Sequence, residues 1–176
     1  MDLHRHPEGV STVLDFASFY AAARPTLLRT TYAVTGDRQL AEDAVQVAFA
    51  KAYASWSRVI RADDPTAYVR RIAINAALGH GRRAFFRRET SVDRLPERAV
   101  NPGLDALERD DVWRAVRALP PRQRAVVVLR YYEDLSERQI AETLGCRPGT
   151  VKSQASAALA TLRTLLSVDA PGGDRA

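Results

Sequence analysis

Six polar or basic side chains cluster around a turn at Gly145, and their types suit contacts with the edges of DNA bases. Glutamine can pair with adenine through two hydrogen bonds, and arginine or lysine can do so with guanine. Lys152 could instead contact only a phosphate, which would position the protein on DNA without specifying a sequence. No acidic residue lies among the six, which are Arg147, Thr150, Lys152, Ser153, Gln154 and Ser156.

A second segment, from Thr66 to Arg88, contains arginines and no acidic residue. A basic surface with aromatic platforms can hold a separated DNA strand. The alternative for these arginines is a solvated helix face. Phe85 and Phe86 lie among them and could stack on bases, although packing against the domain or the following segment is favoured. The arginines are Arg70, Arg71, Arg82, Arg83, Arg87 and Arg88.

The sequence shows no residue set that is typical of an enzyme. It has no clustered carboxylates for a metal, no Ser/His/Asp or Cys/His set and no phosphate-binding glycine loop. Cys146 is the single cysteine, which excludes an intramolecular disulfide and a cysteine-rich metal site. His4 and His6 lie in a polar N-terminal segment and make a poor metal site. We therefore expect no enzymatic activity, no cofactor and no bound metal.

The overall charge agrees with a polyanionic partner. The chain of 176 residues has a formal net charge of +5 and a calculated pI of about 9.8. A GC-rich genome, whose codons favour arginine, is an alternative source of this excess. No apolar run approaches the length of a membrane span, and the N-terminus lacks the apolar region of a signal peptide. A cytoplasmic protein is expected.

The pattern of Ser136–Arg163 predicts two short helices joined by a tight turn. Ser136 and Gln139 have the spacing of a capping box, and Gly145 stands where a left-handed residue ends a helix. Pro148 suits the first turn of the next helix. Such a helix-turn-helix presents its second helix to the DNA major groove, whereas the alternative is an ordinary helical hairpin. The positions that need a small residue, a turn glycine and a buried aliphatic hold Ala141, Gly145 and Val151.

The rest of the chain predicts further helices and no strand. Asp15–Val34 has a helical apolar rhythm that Pro25 should kink or divide into two pieces. Asp37–Trp56 is a long amphipathic helix, and 57–63 is a polar loop. A proline pair at 120–121 should end one helix and begin another.

The helix that begins at Asp64-Pro65 raises a specific expectation. Its spacing predicts burial of Tyr68, Ile72 and Ala76. Gly79 and Gly81 each cost roughly 0.5–1 kcal/mol in a helix, so the helix should fray or end near residue 79.

These elements predict an all-α protein with two small helical domains joined by a flexible linker. The N-terminal domain spans 12–85, the linker 86–101 and the C-terminal helix-turn-helix domain 102–166. A disordered tail is expected at 167–176.

Three stretches, in this order, resemble a bacterial RNA polymerase sigma factor of the extracytoplasmic-function (ECF) type. They are GDRQLAEDAVQVAFAKAYASW, DPTAYVRRIAINAALGHGRR and ALPPRQRAVVVLRYYEDLSERQIAETLGCRPGTVKSQASAALATLR. The variant VKSQ is similar to an actinobacterial, sigma-E-like subgroup. Ala157 departs from the family, in which many members carry an arginine at this position.

The resemblance implies binding to core RNA polymerase and to promoter DNA, both as duplex and as melted single strand. It makes 12–85 sigma region 2 and 102–166 sigma region 4, which reads the −35 element through the six residues above. It implies docking on polymerase through Asp43, Gln46 and Lys51. It also implies an anti-sigma factor as a further partner. Because the helix is expected to fray near residue 79, Arg82 and Arg83 are doubtful as ordered DNA contacts. The residues that would recognise the −10 element are Arg58, Arg61, Arg70, Arg71, Asn75, Arg82 and Arg83.

One alternative to a sigma factor, a protein of another functional class, stays open at this point. A two-domain helix-turn-helix regulator that binds DNA without core polymerase would share the C-terminal motif. The segment Asp37–Trp56 argues against it, because a simple repressor has no need of a polymerase-docking helix.

Overall fold

The computed structural model describes residues 15–87 and 111–168, and every regular element in these two ranges is an α-helix. The all-α fold that the sequence predicts is therefore confirmed over this part of the chain. The segments that we predict as linker and tail lie largely outside it. The helices are α1 (Phe16–Thr35), α2 (Arg38–Ala54), α3 (Trp56–Val59), α4 (Pro65–Arg87), α5 (Asp111–Ala118), α6 (Pro121–Tyr131), α7 (Glu137–Leu144) and α8 (Pro148–Val168).

Helices α1, α2 and α4 form an N-terminal domain around one apolar core. Alanines at 41, 44, 48 and 52 make the buried face of α2, and these short side chains let the neighbouring helices approach closely. Larger side chains, including Phe19, Leu27, Phe49 and Val69, fill the space between the helices. The amphipathic helix predicted from residue 37 onward is confirmed.

Aspartate side chains cap the helices of this domain. Those of Asp37 and Asp64 accept hydrogen bonds from backbone N–H groups three residues further on, at 3.0 and 2.8 Å, so both helices begin where the sequence predicts. Asp15 caps α1 in the same way through the N–H of Ser18, at 2.9 Å. Hydrogen bonds from the side chain and the backbone of Ser18 lower the pKa of the Asp15 carboxyl, which favours its charged form as a cap.

The expected division at Pro25 is absent, because α1 runs through the proline as one helix of 20 residues; the alternative, a kink at Pro25, stays a prediction. A proline removes one helical N–H, and the carbonyl that loses its donor belongs to Ala21. Both residues lie on the exposed side of α1. Water can serve that carbonyl, so the helix is not forced to divide.

Two further expectations for the N-terminal domain were wrong. The segment 57–63 is not all loop, since its first residues belong to the short helix α3. Helix α4 also does not end near residue 79 but continues through Gly79 and Gly81 to Arg87. The intrinsic helix propensity of a residue influences structure less than tertiary packing does. Because packing already holds residues 69–78 in a helix, each residue added to that helix gains one backbone hydrogen bond.

The C-terminal domain contains the predicted helix-turn-helix. Ser136 and Gln139 form a reciprocal capping box, and Gly145 ends α7 in the left-handed conformation with φ of 62°. Helix α8 begins at Pro148. The valine run 126–128 is helical and lies in α6, which also begins at a proline. The core under the motif is formed by Val126, Leu129, Ile140, Ala141, Val151 and Ala155.

The buried face of α4 differs from the predicted one. Tyr68, Ile72 and Ala76 are only half-buried. The fully buried side chains are instead Val69, Ala73, Ile74 and Ala77. The reason is that α4 packs on two sides, against α1 and α2 and also against the C-terminal domain, so a single helical stripe does not describe its burial.

Candidate nucleic-acid interface

The start of α8 presents a polar surface that a buried row of the same helix supports. Val151, Ala155 and Ala158 pack into the domain, which turns the other side of α8 outward. Five of the six residues predicted to read the −35 element are exposed, and Gln154 is half-buried. The exposed five are Arg147, Thr150, Lys152, Ser153 and Ser156.

Lys152 is the one lysine on this surface, and its side chain is 70% exposed. Its Nζ lies 3.7 Å from a carboxylate oxygen of Glu137, whose other oxygen lies 3.1 Å from Nη1 of Arg130. Exposed ion pairs of this kind contribute little free energy, so a DNA phosphate can replace Glu137 as the partner of Lys152. Ala157 is also exposed and adds no charge.

The residues predicted to read the −10 element do not form one surface. Arg58, Arg61 and Arg71 are exposed, and Nε of Arg61 donates to the carbonyl of Ser57 at 2.7 Å. The backbone of Arg82 and Arg83 belongs to α4, but their side chains, like those of Phe85 and Phe86, lie outside the description.

Arg70 and Asn75 contact the C-terminal domain, and of these two Arg70 is buried whereas Asn75 is exposed. Nη1 of Arg70 lies 3.4 Å from Oε2 of Glu133, and the two side chains are only 9% and 11% exposed. The amide Nδ2 of Asn75 donates to the carbonyl of Thr143 at 2.7 Å. Glu133 was not identified from the sequence, because it belongs to no recognisable motif and its partner Arg70 is 63 positions away.

A second basic side chain, Arg124, lies between the domains. Nη1 of Arg124 donates to the carbonyls of Val34 and Thr35, at 3.3 and 2.7 Å, and Nη2 donates to the carbonyl of Leu119 at 3.1 Å. Burial lowers the pKa of the Arg124 guanidinium, and the charge of Arg117 adds to this effect. Arg124 thereby satisfies carbonyls at the C-terminal end of α1, where the helix dipole favours a cation.

The residues predicted to bind polymerase lie on the outer side of α2. Gln46 and Lys51 are exposed, and Asp43 is half-buried. The carboxylate of Asp43 accepts a hydrogen bond from Nε2 of Gln39 at 2.9 Å.

An aromatic cluster lies where the start of α1 meets the end of α2. Tyr53 is 67% exposed, and its ring centroid lies 4.9 Å from that of Phe16, which also contacts Trp56. Its helical spacing made Tyr53 indistinguishable from a core residue in the sequence.

Each of the two domains matches a known protein family. Residues 19–85 match the family described as Sigma-70 region 2, and residues 109–162 match Sigma-70, region 4. Over 152 residues the chain is 35% identical to an RNA polymerase sigma-E factor of Streptomyces antibioticus, covering 86% of this chain and 84% of the relative. It is 32% identical over 166 residues to the ECF RNA polymerase sigma factor SigL of Mycobacterium tuberculosis, covering 83% and 92%.

A solved structure supports the same relationship. The sigma factor RpoE of Bartonella quintana, determined in complex with the anti-sigma factor NepR, matches with a TM-score of 0.67 at 25% identity. The match covers 88% of this chain and 98% of that one.

The chain therefore belongs to the sigma-70 family, as an extracytoplasmic-function sigma factor of the actinobacterial type. It directs transcription initiation with core RNA polymerase, and the resemblance read from the sequence is confirmed. Within 15–87 and 111–168, no helix has the length and apolar character to cross a membrane.

Proposed function

We propose that α8 reads the −35 element as duplex DNA. The observation that carries this proposal is the acid-free, solvent-facing row at the start of α8, backed by buried aliphatic residues. The major groove admits one α-helix, and residues near the helix start reach the base edges. Lys152 supplies charge, whereas Gln154 and Arg147 supply hydrogen bonds that can distinguish bases.

The N-terminal domain is proposed to recognise and melt the −10 element. Its exposed arginines, Arg58, Arg61 and Arg71, suit a DNA backbone. The segment 57–63 would receive a flipped base, whose unstacking costs a few kcal/mol. Arg82 and Arg83 would extend this contact along α4. Asn75 is exposed and would contact a base edge, whereas Arg70 is buried beside Glu133 and would join only if that contact opened.

Core polymerase is proposed to dock on the outer side of α2 through Asp43, Gln46 and Lys51. The domain assignment follows, with 12–85 as region 2, 86–101 as linker, 102–166 as region 4 and 167–176 as tail. The chain would act in the cytoplasm, where core polymerase lies, and would contribute binding rather than catalysis.

An anti-sigma factor is proposed as a further partner. The solved relative from Bartonella quintana was determined with one, and both promoter-facing surfaces of the present chain are of the kind that such a protein could cover.

The decisive experiment mixes the purified chain with core polymerase and fragmented DNA of the source genome, and sequences the 5′ ends of the transcripts. Discrete start sites preceded by two shared motifs, absent without the chain, are expected. Matched reactions with a Gln46→Ala, Lys51→Ala variant should lose co-purification with polymerase while DNA binding is retained. DNA binding without polymerase binding or start sites would instead favour the regulator that works alone.

A further inference from the structure

The outer surface of α8, which is free of acidic residues in the sequence, has an acidic side chain beside it in the structure. Glu137 is the first residue of α7, and its Oε2 lies 3.7 Å from Nζ of Lys152 on α8. The acid belongs to a different helix, so it lies outside the run of six polar residues from which this surface was predicted. A carboxylate therefore lies next to the lysine that we propose to meet a DNA phosphate.

Two features hold the carboxylate of Glu137 in place. Its Oε1 accepts a hydrogen bond from Nη1 of Arg130 on α6, at 3.1 Å. It also lies in the first turn of α7, where the helix dipole favours a negative charge. The side chain of Glu137 is 30% exposed, whereas that of Lys152 is 70% exposed. Lys152 is therefore free to change its partner, while the carboxylate stays at the surface.

A phosphate that binds Lys152 comes close to this fixed carboxylate. The ammonium group then lies between two anions, which repel each other because both are close to the same nitrogen. Separating the exposed ion pair costs little, so the repulsion that remains afterwards is the larger effect. Two unit charges about 4 Å apart in water repel enough to lower a binding constant about fivefold.

This repulsion acts on phosphates and spares the base edges. Phosphates carry a full charge and no sequence information, whereas the base acceptors that Arg147 and Gln154 would contact are uncharged. Glu137 should therefore weaken the binding of every duplex by the same factor. Sequence-dependent contacts then supply a larger share of the binding free energy of α8.

We infer that Glu137 is a positioning residue of the duplex-reading surface. Anchored by Arg130, it holds the ammonium of Lys152 beside α8 and repels the phosphate that replaces it, and so it sets how tightly the chain binds DNA. This inference rests on the proposed function of α8. A glutamate can also accept a hydrogen bond from the amino group of cytosine, and the experiment distinguishes that role from the one inferred.

Glu137→Gln removes the charge and keeps an oxygen that can accept from Arg130. The full-length variant is titrated with a mixed-sequence duplex and with a promoter duplex identified in the transcription experiment. At low salt concentration it should bind both duplexes about fivefold more tightly than the wild type does. The gain should fade at high salt concentration, because the Debye length falls to about 3 Å at 1 M. A merely structural role of Glu137 would not produce this salt dependence.

Glu142→Gln is the matched control, because it removes the same charge from the same helix. Glu142 is exposed, and its ion pair with Arg138 stays within α7. Its affinity for both duplexes should stay within about a factor of two of the wild-type value. Thermal denaturation of both variants checks that the fold is intact. In a Lys152→Ala background the gain from Glu137→Gln should shrink by at least about half.

Three results would overturn the inference: equal affinities of Glu137→Gln and Glu142→Gln, a gain that is undiminished in Lys152→Ala, or a change confined to the promoter duplex. The last result would make Glu137 a base-reading residue. Promoter binding that still depends on Lys152 and Gln154 would, in each case, leave the proposed function of α8 standing. If Lys152→Ala and Gln154→Ala both bind the promoter like the wild type, the proposed function of α8 itself fails.

Discussion

At the scale of single residues, surroundings decide which basic side chains can meet DNA. Lys152 and Arg70 are both basic members of segments that the sequence marks for DNA binding. Lys152 is exposed, and its ion pair with Glu137 is long, whereas Arg70 is enclosed beside Glu133. An exposed pair exchanges its partner at small cost, but a buried pair does not.

Lys152→Ala should weaken binding of the chain to a promoter duplex and reduce the salt dependence of that binding. Each phosphate contact adds about 0.9 to the slope of log affinity against log salt concentration, so the slope should fall by about one. A binding titration at several salt concentrations measures this slope.

Arg163→Ala is the control for this prediction. Arg163 is exposed on the same helix, three turns beyond Lys152, and its loss removes the same charge. For Arg163→Ala, the slope of log affinity against log salt concentration should stay at the wild-type value. If the two variants behave alike, Lys152 acts through the overall charge of the chain and not through a phosphate contact.

At the scale of secondary-structure elements, local sequence accounts for the helix-turn-helix and fails at α4. The capping box and the left-handed Gly145 involve residues within a few positions of each other, so their spacing can be read directly. The burial of α4 depends on two distant neighbours, which spacing does not reveal.

The two glycines of the motif should respond in opposite directions to alanine. Gly145→Ala should destabilise the protein by about 1 kcal/mol, because alanine is strained at positive φ. Gly149→Ala should stabilise it by about 0.5 kcal/mol, since Gly149 is helical and a Cβ there meets nothing within 4 Å.

Urea denaturation followed by circular dichroism measures both changes. No Cβ contact lies within 4 Å at Gly145 either, so the comparison isolates backbone conformation. A loss of stability of similar size at both positions would contradict the assignment of the turn.

At the scale of the whole molecule, the domain interface couples residues that neither domain explains alone. Ile74 is completely buried and belongs to an apolar cluster that the two domains share, whereas Ile72 is half-buried and packs within the N-terminal core. The two isoleucines lie on the same helix and report on the two different sides of α4.

Ile74→Ala should lower the free energy of unfolding by about 3 kcal/mol, and Ile72→Ala by about 1.5 kcal/mol. In a Glu133→Lys background the cost of Ile74→Ala should shrink by at least about 1 kcal/mol, because that substitution removes the contacts of Glu133 with Arg70 and Thr30 across the same interface and so loosens the cluster. The cost of Ile72→Ala should not change. Additive losses for Ile74 and Glu133, measured by denaturation of the wild type, the two single variants and the double variant, would argue against an energetic link across the interface.

The sequence by itself determined most of the helices, the capping box, the helix-turn-helix and the family. Each depends on residue types at short spacing or on motifs in a fixed order, so no distant contact is needed to recognise it. Only the tertiary structure decided that Arg70 and Asn75 contact the C-terminal domain, where Arg70 meets Glu133 and Asn75 meets the carbonyl of Thr143. Those contacts join residues more than 60 positions apart, and which of them forms depends on the packing of whole helices against each other.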